Sequence, residues 1–309
     1  MQTPNIQIKK IELKIGDYEI CPLPTGIFGL DGGAMFGTVP KVLWEKSNPP
    51  DEKNRIPMEA RALLLKSKDR NIVIDTGNGG DFVHKYGEKL GTKFSEMYNI
   101  DSEGPSLTKS LHAHGVSFLD VTDVILTHLH FDHAGGATRY ENGRLVPTFP
   151  KAKYYVQSRN LETARHPNLR EKASYFSANF EPLIEAGQLK ILEGPRDNLL
   201  PGISVMVSDG HTQGQQIVRV HGFKESDRSL LYCGDVVPTA SHVRRPWLMG
   251  YDLHPLLLME EKLKFLSPAA QGHWYLFFEH DPYCDCALIS QKLDDFQVET
   301  RFQLQKKNS

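Results

Sequence analysis

The 309-residue chain contains few cysteines, no long apolar run and no excess of one charge. Its four cysteines are too few and too unevenly spaced for a disulfide framework, which favours a reducing cytosol. No apolar run reaches the length of a membrane span, and the N-terminal residues lack the pattern of a secretory signal. The net charge of −2, with scattered Lys and Arg, argues against a nucleic-acid or anionic membrane partner. We therefore expect a cytoplasmic protein that acts on a small molecule.

The composition, with 39% hydrophobic and 24% charged residues, is ordinary for a globular enzyme with a sizeable core. We expect a single domain over residues 1–309, and no internal repeat or low-complexity segment is present. Apolar alternation predicts many strands, which are followed by strands that alternate with helices. Predicted strands cover residues 6–15, 18–23, 61–66, 71–74, 121–126, 152–156, 189–192, 203–207, 216–220, 229–233 and 274–278. Predicted helices cover residues 159–186, with a break at 166–167, and residues 255–266 and 284–296.

Residues 25–58 form a long arm that is rich in Gly and Pro and carries Phe28, Phe36 and Trp44. Its length and composition predict an irregular segment rather than a core of its own. Because exposed aromatic patches are limited on lone soluble domains, we expect the arm to pack across a twofold-related chain. The prediction is a homodimer in which Met35 and Phe36 close over a metal site. The alternative is an arm that folds back on its own sheet.

Residues 121–136, with the sequence VTDVILTHLHFDHAGG, concentrate four potential metal ligands. An apolar, β-branched run predicts a buried strand, and His128, His130, Asp132 and His133 follow it directly. Buried imidazoles and carboxylates need partners, which a metal ion supplies. His128 and His130 point the same way in an extended segment, so they can bind one ion. Asp132 and His133 diverge, so at least one of them can reach a second ion.

Three further predicted strands each run into a ligand-type residue, which is His211, Asp235 or His280. Binding residues collect at strand ends in layered α/β folds, so all seven side chains are expected to converge. The first metal is assigned to His128, His130 and His211, the second to Asp132, His133 and His280, and Asp235 is assigned to both. Two such ions about 3.5–4 Å apart can share a hydroxide that acts as the nucleophile.

The pattern HLHFDH at residues 128–133, followed by single His, Asp and His ligands at strand ends, resembles the metallo-β-lactamase superfamily. The turn Asp75–Thr76–Gly77 is similar to the first motif of that superfamily, and the resemblance runs from about residue 20 to residue 281. It implies an α/β fold, the αβ/βα four-layer sandwich, with two sheets face to face and helices outside. It also implies that Asp75 lies behind the metal ligands and supports them.

Within the superfamily, a bridging Asp235 disfavours true β-lactamases, and His130, where flavodiiron proteins carry Glu, favours zinc over iron. The chain has neither the helical domain of glyoxalase II nor the basic arm of tRNA-processing nucleases. Residues 30–44, 234–242 and 246–252 are similar to N-acyl homoserine lactone lactonases and methyl-parathion-hydrolase-like phosphotriesterases. One departure is that no tyrosine directly follows Asp235, where smaller lactonases have one.

The resemblance implies a hydrolase with two Zn²⁺ per chain, or other divalent transition metals, and a metal-bridging hydroxide, which opens acyl-homoserine-lactone-like lactones or related esters. Such an activity is quorum quenching. Two alternatives are phosphotriester hydrolysis at the same site and a non-catalytic, metal-stabilised binding module.

Asp132 and His242 are the candidate catalytic side chains beyond the metal ions. Asp132 is expected to steer the hydroxide or to pass on its proton. His242 either lines the pocket or assists protonation of the leaving group, and the alternative is a surface or structural histidine in a loop. Five apolar residues in two long segments are candidates for a substrate pocket, although each is also a plausible core residue: Met35, Phe36, Trp44, Trp247 and Met249.

Overall fold

The computed structural model describes residues 7–100, 104–222 and 228–305. Its strands are β1 (Ile8–Ile11), β2 (Lys14–Ile15), β3 (Tyr18–Asp31), β4 (Arg55–Lys66), β5 (Asn71–Ile74), β6 (Asp123–Ile125), β7 (Thr138–Glu141), β8 (Arg144–Pro147), β9 (Lys153–Gln157), β10 (Leu189–Leu192), β11 (Arg196–Leu200), β12 (Ile203–Ser208), β13 (Gln215–Val220), β14 (Leu230–Tyr232), β15 (Tyr275–Phe277), β16 (Cys286–Lys292) and β17 (Asp295–Leu304). Its α-helices are α1 (Gly32–Phe36), α2 (Lys41–Trp44), α3 (Phe82–Tyr86), α4 (Glu88–Tyr98), α5 (Leu107–Ala113), α6 (Phe131–Ala134), α7 (Ser158–Arg165), α8 (Glu181–Glu185) and α9 (Pro255–Gln271). Short 3₁₀ helices cover Gly135–Ala137, Ser177–Asn179, Gly234–Val236 and Ala240–Val243.

Two large sheets carry most of these strands. The first sheet has seven described strands in the order β10-β9-β6-β5-β4-β3-β2. The second has eight described strands in the order β1-β17-β16-β15-β14-β13-β12-β11. Strands β7 and β8 form a separate hairpin. None of the helices in the described part of the chain is long and apolar enough to cross a membrane.

The two sheets pack face to face because successive side chains of a strand point to opposite sides. Ile72 and Ile74 of β5 lie in the core between the sheets, together with Val218 of β13, whereas Val73 faces outward. The outward side of the first sheet is covered by residues of α5, α7 and α8. The outward side of the second sheet is covered by α9. The predicted αβ/βα four-layer sandwich is therefore confirmed.

The arm at residues 25–58 is more regular than its composition predicts. Strands β3 and β4 pair along the arm as far as Asp31 and Arg55, and only the residues between them form the short helices α1 and α2. Phe36 and Trp44 stack with ring centroids 5.2 Å apart, and both are buried within the same chain. The expectation that the arm's aromatics need a partner chain for burial is wrong, because Met35, Phe28 and other apolar residues of the same chain cover them.

Three other predicted elements differ in the structure. Residues 284–296 were predicted as a helix, but they contribute to the hairpin β16–β17, whose turn holds Leu293 at a φ of 59°. Of the first predicted strand, only β2 pairs with β3, while β1 pairs with β17 in the other sheet. The helix predicted over 159–186 is interrupted: α7 and α8 are separated by a segment that contains the 3₁₀ helix Ser177–Asn179.

The turn that follows β5 and the turn that follows α6 pack closely, with their backbones in direct contact. A Cβ on Gly79 would stand 2.2 Å from the carbonyl oxygen of Gly135, and a Cβ on Gly136 would stand 2.3 Å from that of Thr76. Only glycine fits such an approach. The buried Lys85 ammonium also donates to the Gly135 carbonyl oxygen. The turn that follows α6 is therefore held directly against the turn that follows β5.

Candidate metal centre

The turn after β6 and the loop after β12 bring three imidazoles together, and one carboxylate from the turn after β14 lies beside them. His128 Nε2 lies 3.0 Å from His130 Nδ1, and His211 Nε2 lies 3.3 Å from the same Nδ1. Asp235 follows β14 and places its Oδ2 3.2 Å from His211 Nε2 and 3.9 Å from His128 Nε2. One ligand atom from each of these four buried residues lies within 4.8 Å of the others.

A second group lies beside the first and is formed by Asp132, His133 and His280. The Nε2 atoms of His133 and His280 face each other at 3.3 Å. Asp132 Oδ2 is 3.8 Å from His280 Nε2, and its Oδ1 is 4.0 Å from His133 Nε2. Asp235 Oδ1 is 3.1 Å from His280 Nε2, and Asp235 Oδ2 is 3.5 Å from His133 Nε2. One carboxylate therefore contacts both groups.

The spacing and chemistry of these atoms suit divalent metal ions. Ligands held at about 2.0–2.1 Å from a tetrahedral zinc lie about 3.3 Å apart, and the facing ring nitrogens are 3.0–3.3 Å apart. Asp235 Oδ1 is buried without a hydrogen bond among the described residues, although buried polar atoms normally have a partner. Burial lowers the pKa of His128 and His130 well below the usual range, which favours their neutral form. At the other three imidazoles burial is outweighed by the surrounding carboxylates, which raise the pKa of His133, His211 and His280.

The ring nitrogens that point away from the two groups mostly have partners, which fix the orientation of each imidazole. These partners are Thr127 Oγ1 for His128 at 3.1 Å, Asp252 Oδ1 for His211 at 2.9 Å and the Glu59 carbonyl oxygen for His280 at 2.9 Å. His130 is different, because its buried Nε2 has no hydrogen bond among the described residues and Glu171 Oε1 lies 4.0 Å away.

His133 is oriented by two buried carboxyl groups. Its Nδ1 lies 3.1 Å from Asp75 Oδ2 and 2.8 Å from Glu279 Oε2. Thr127 donates to Asp75 from its backbone N–H at 2.6 Å and from its hydroxyl at 2.7 Å. Tyr232 donates its hydroxyl to Glu279 at 2.8 Å, and burial raises the pKa of Glu279 to about 8. The structure thus places Asp75 behind the candidate ligand His133 and adds Glu279 beside it.

A cavity of about 260 Å³ opens onto both groups. Its lining includes the candidate ligands His130, Asp132, His211, Asp235 and His280. Apolar and aromatic side chains line the rest, together with Arg170 and Glu171: Leu30, Met35, Tyr98, Phe131, Met249 and Tyr251. Of the five predicted pocket residues, Met35 and Met249 therefore line the cavity. Phe36, Trp44 and Trp247 do not line it, although they pack in the same apolar cluster as Met35 and Met249.

The sequence profile of the metallo-beta-lactamase superfamily matches residues 57–280, which is more than half of the chain. The chain belongs to the metallo-beta-lactamase superfamily. The predicted resemblance is confirmed, and the superfamily is one of metal-dependent hydrolases.

Relatives within the superfamily include an N-acyl homoserine lactonase of a Bacillus species, which is 30% identical over 227 residues, 71% of this chain and 79% of the relative. A probable metallo-hydrolase of Mycobacterium bovis is 26% identical over 194 residues, 58% of this chain, and the match spans only 57% of that relative's length. A probable metal-dependent hydrolase from Staphylococcus aureus superposes with a TM-score of 0.80 at 29% identity, over 93% of this chain and 99% of the other. A dizinc quorum-quenching lactonase, AidC, in complex with a homoserine product, shares the fold with a TM-score of 0.72 at 21% identity, over 94% of this chain and 97% of the other.

His242 does not reach the cavity in this superfamily member. Its Nδ1 lies 2.8 Å from Thr239 Oγ1, its Nε2 lies 2.8 Å from the Met35 carbonyl oxygen, and its ring stacks on Phe36 at 4.7 Å. Burial lowers its pKa to about 3. The geometry contradicts the prediction that His242 protonates a leaving group, since both ring nitrogens are engaged and the side chain holds the arm in place.

Several residues around the superfamily's metal site were not anticipated from the sequence. Glu279 directly precedes the candidate ligand His280, so its position next to a strand end was an available signal. Asp252 lies within residues 246–252, whose only signal in the sequence is their similarity to relatives. Arg170 and Glu171 gave no signal, because they lie in the irregular segment between α7 and α8 that was predicted as helix.

Proposed function

We propose that the protein is a dinuclear zinc hydrolase that opens acyl-homoserine-lactone-like lactones or related esters. The observation that carries the proposal is Asp235, whose two oxygens lie within 3.5 Å of ring nitrogens of both groups, at a cavity. Zinc is favoured by donors of five imidazoles and two carboxylates. The lactone is favoured by the 30% identical relative named N-acyl homoserine lactonase.

When bound, the two ions would supply an activated water and would polarise the substrate carbonyl. One ion would be held by His128, His130 and His211 and the other by Asp132, His133 and His280, with Asp235 shared. Asp132 lines the cavity, so its carboxylate can hold the proton that the nucleophile releases and deliver it to the departing alkoxide. The apolar lining around Met35 and Met249 excludes water and accommodates an acyl chain.

A substrate panel on zinc-loaded protein tests the proposal. We expect kcat/KM for an acyl-homoserine lactone to exceed that for an aryl phosphotriester, and Asp235→Ala to lose both metal retention and turnover. The opposite ranking would favour the phosphotriesterase alternative. Full turnover by Asp235→Ala with one zinc per chain would refute the shared role of this carboxylate. A protein that binds two zinc ions but cleaves nothing in the panel would favour the binding module.

We also propose that the protein is a homodimer through the arm at residues 25–58. Although the arm's aromatics are buried, Val42 and Leu43 of α2 are 63% and 47% exposed. Two adjacent exposed aliphatic side chains on one short helix suit a twofold contact, in which the same surface meets itself.

A further inference from the structure

The cavity above the candidate metal centre contains one cationic side chain without a matching carboxylate. Asp132 and Asp235 face the ring nitrogens of the candidate metal ligands. The third lining carboxylate, Glu171, is 4% exposed and accepts hydrogen bonds from Asn168 Nδ2 at 2.7 Å and from the Thr212 hydroxyl. Arg170 lines the same cavity and forms no ion pair within the described part of the chain.

Hydrogen bonds hold both the backbone and the guanidinium of Arg170. Its backbone N–H donates to Asn168 Oδ1 at 2.9 Å, in the same turn where the Glu171 N–H donates to that oxygen at 3.1 Å. At the other end, one guanidinium nitrogen donates to the Gly250 carbonyl oxygen across the cavity. The side chain remains exposed, and a guanidinium has five N–H donors in a planar fork. Most of its donors are therefore available to a molecule in the cavity.

The lining that Arg170 shares with the candidate metal ligands also includes apolar and aromatic side chains, among them Met35, Phe131, Met249 and Tyr251. A substrate with its carbonyl at the candidate metal ligands and an apolar chain along these residues would place the end of that chain within reach of the guanidinium. Planar guanidinium groups pair with carboxylates through two parallel hydrogen bonds.

We propose that Arg170 is a specificity-determining residue that selects lactones or esters whose apolar chain ends in an anionic group, with a carboxylate as the preferred form. The inference rests on the proposed function, because it places the reacting carbonyl at the metal groups. It narrows the substrate class from neutral acyl lactones to amphipathic ones with a charged end.

The test compares two ligands and three variants of zinc-loaded protein. The ligands are acyl-homoserine lactams, in which a ring amide replaces the ester, with the acyl chain ending in a carboxylate or in the methyl ester of that carboxylate. The variants are Arg170→Met, Arg170→Lys and the control Lys172→Met, which removes an exposed positive charge two residues away that does not line the cavity. Dissociation constants are measured by calorimetry, and turnover of the corresponding lactones is measured separately.

We expect the wild type and Lys172→Met to bind the carboxylate ligand more tightly than its ester by up to about fivefold, the effect of an exposed ion pair. Arg170→Met should abolish this preference, and Arg170→Lys should retain part of it. Comparing the ligand preference of the wild type with that of each variant cancels any direct effect of the carboxylate on zinc, because that effect is common to both proteins.

Three results would overturn the inference. They are equal affinity of the wild type for both ligands, an equal loss of affinity for both ligands in Arg170→Met, and a loss of the preference in Lys172→Met as large as that in Arg170→Met. If the wild type cleaves neither lactone, the proposed lactonase function fails, while the lactam dissociation constants still decide the role of Arg170.

Discussion

Arg61 is a buried cation that connects β4 to the loop carrying His280, and replacing it should strongly destabilise the protein. The side chain is 3% exposed. Its guanidinium pairs with the carboxylates of Glu59 and Asp285, the latter at 3.1 Å, and donates to the carbonyl oxygens of Phe278 at 2.9 Å and Asp281 at 3.0 Å. Arg61→Met keeps an unbranched apolar stem but leaves two buried carboxylates without a counter-charge.

Breaking a buried ion pair by removing one partner costs about 3–5 kcal/mol, because an uncompensated charge remains. In a chain of this length each kcal/mol lowers Tm by about 2 °C, so the expected fall for Arg61→Met is about 6–10 °C. The control is Arg139→Met, which breaks the exposed pair with Glu141 at 2.9 Å, in which the side chains are 29% and 48% exposed. Exposed pairs contribute about 0–1 kcal/mol, so the control should lose about 2 °C or less.

Calorimetric unfolding of wild type, Arg61→Met and Arg139→Met, with and without added zinc, measures both effects. Because Arg61 holds the loop of His280, the increase in Tm on adding zinc should also shrink in Arg61→Met. A Tm for Arg61→Met within 2 °C of the control would refute the reasoning, since it would show that Glu59 and Asp285 do not depend on this cation.

Three further outcomes are expected. Asp252→Asn, which weakens the partner of His211 Nδ1 at 2.9 Å, should lower zinc affinity about tenfold to a hundredfold in a chelator competition, and unchanged affinity would contradict this. Burial lowers the pKa of Lys262 from 10.5 to about 8, so the unfolded chain binds more protons between these values. Urea unfolding should therefore show that the wild type gains stability relative to Lys262→Met between about pH 8 and pH 10.5, by on the order of 3 kcal/mol in total. The same pH dependence of the unfolding free energy in both proteins would contradict this expectation. Replacing Val42 and Leu43 with Lys should convert a dimer into a monomer in light scattering, and an already monomeric wild type would end the dimer proposal.

The candidate ligands could be predicted because four of them, His128, His211, Asp235 and His280, lie three residues after the end of a strand, and the others follow His128 within five residues. The strands β6, β12, β14 and β15 are short apolar runs, and a residue at the end of such a run is placed by local chain direction alone. The partners of these ligands are placed differently. Asp252 reaches His211 from 41 residues away, and Glu59 reaches His280 from 221 residues away, so their positions depend on how whole sheets and loops pack. No local pattern contains that information.

The elements that were predicted incorrectly also depend on packing and turn geometry that no local sequence pattern contains. In the hairpin β16–β17 the turn has no glycine, and Leu293 adopts a left-handed φ that non-glycine residues rarely take. The usual turn signal was therefore missing, and the apolar residues were assigned to a helix. In the arm, Trp44 was predicted to pack against a partner chain, but it packs on Gly32 of its own chain, where a Cβ would stand 2.4 Å from its ring.

The division of the metal groups between the two sheets affects the order in which a cell can assemble the site. The first four candidate ligands, at residues 128–133, follow β6 of the seven-stranded sheet, whereas His211, Asp235 and His280 follow strands of the other sheet. During synthesis the earlier part of the chain emerges first, so an ion captured then would meet His128 and His130 without His211 or the shared Asp235. With the proposed set of seven ligands, we expect stable loading only after residue 280 has been made, and the bound ions would then join the two halves of the fold. On this proposal, delivery of the correct metal is a late step in maturation, when the chain presents a complete set of donors.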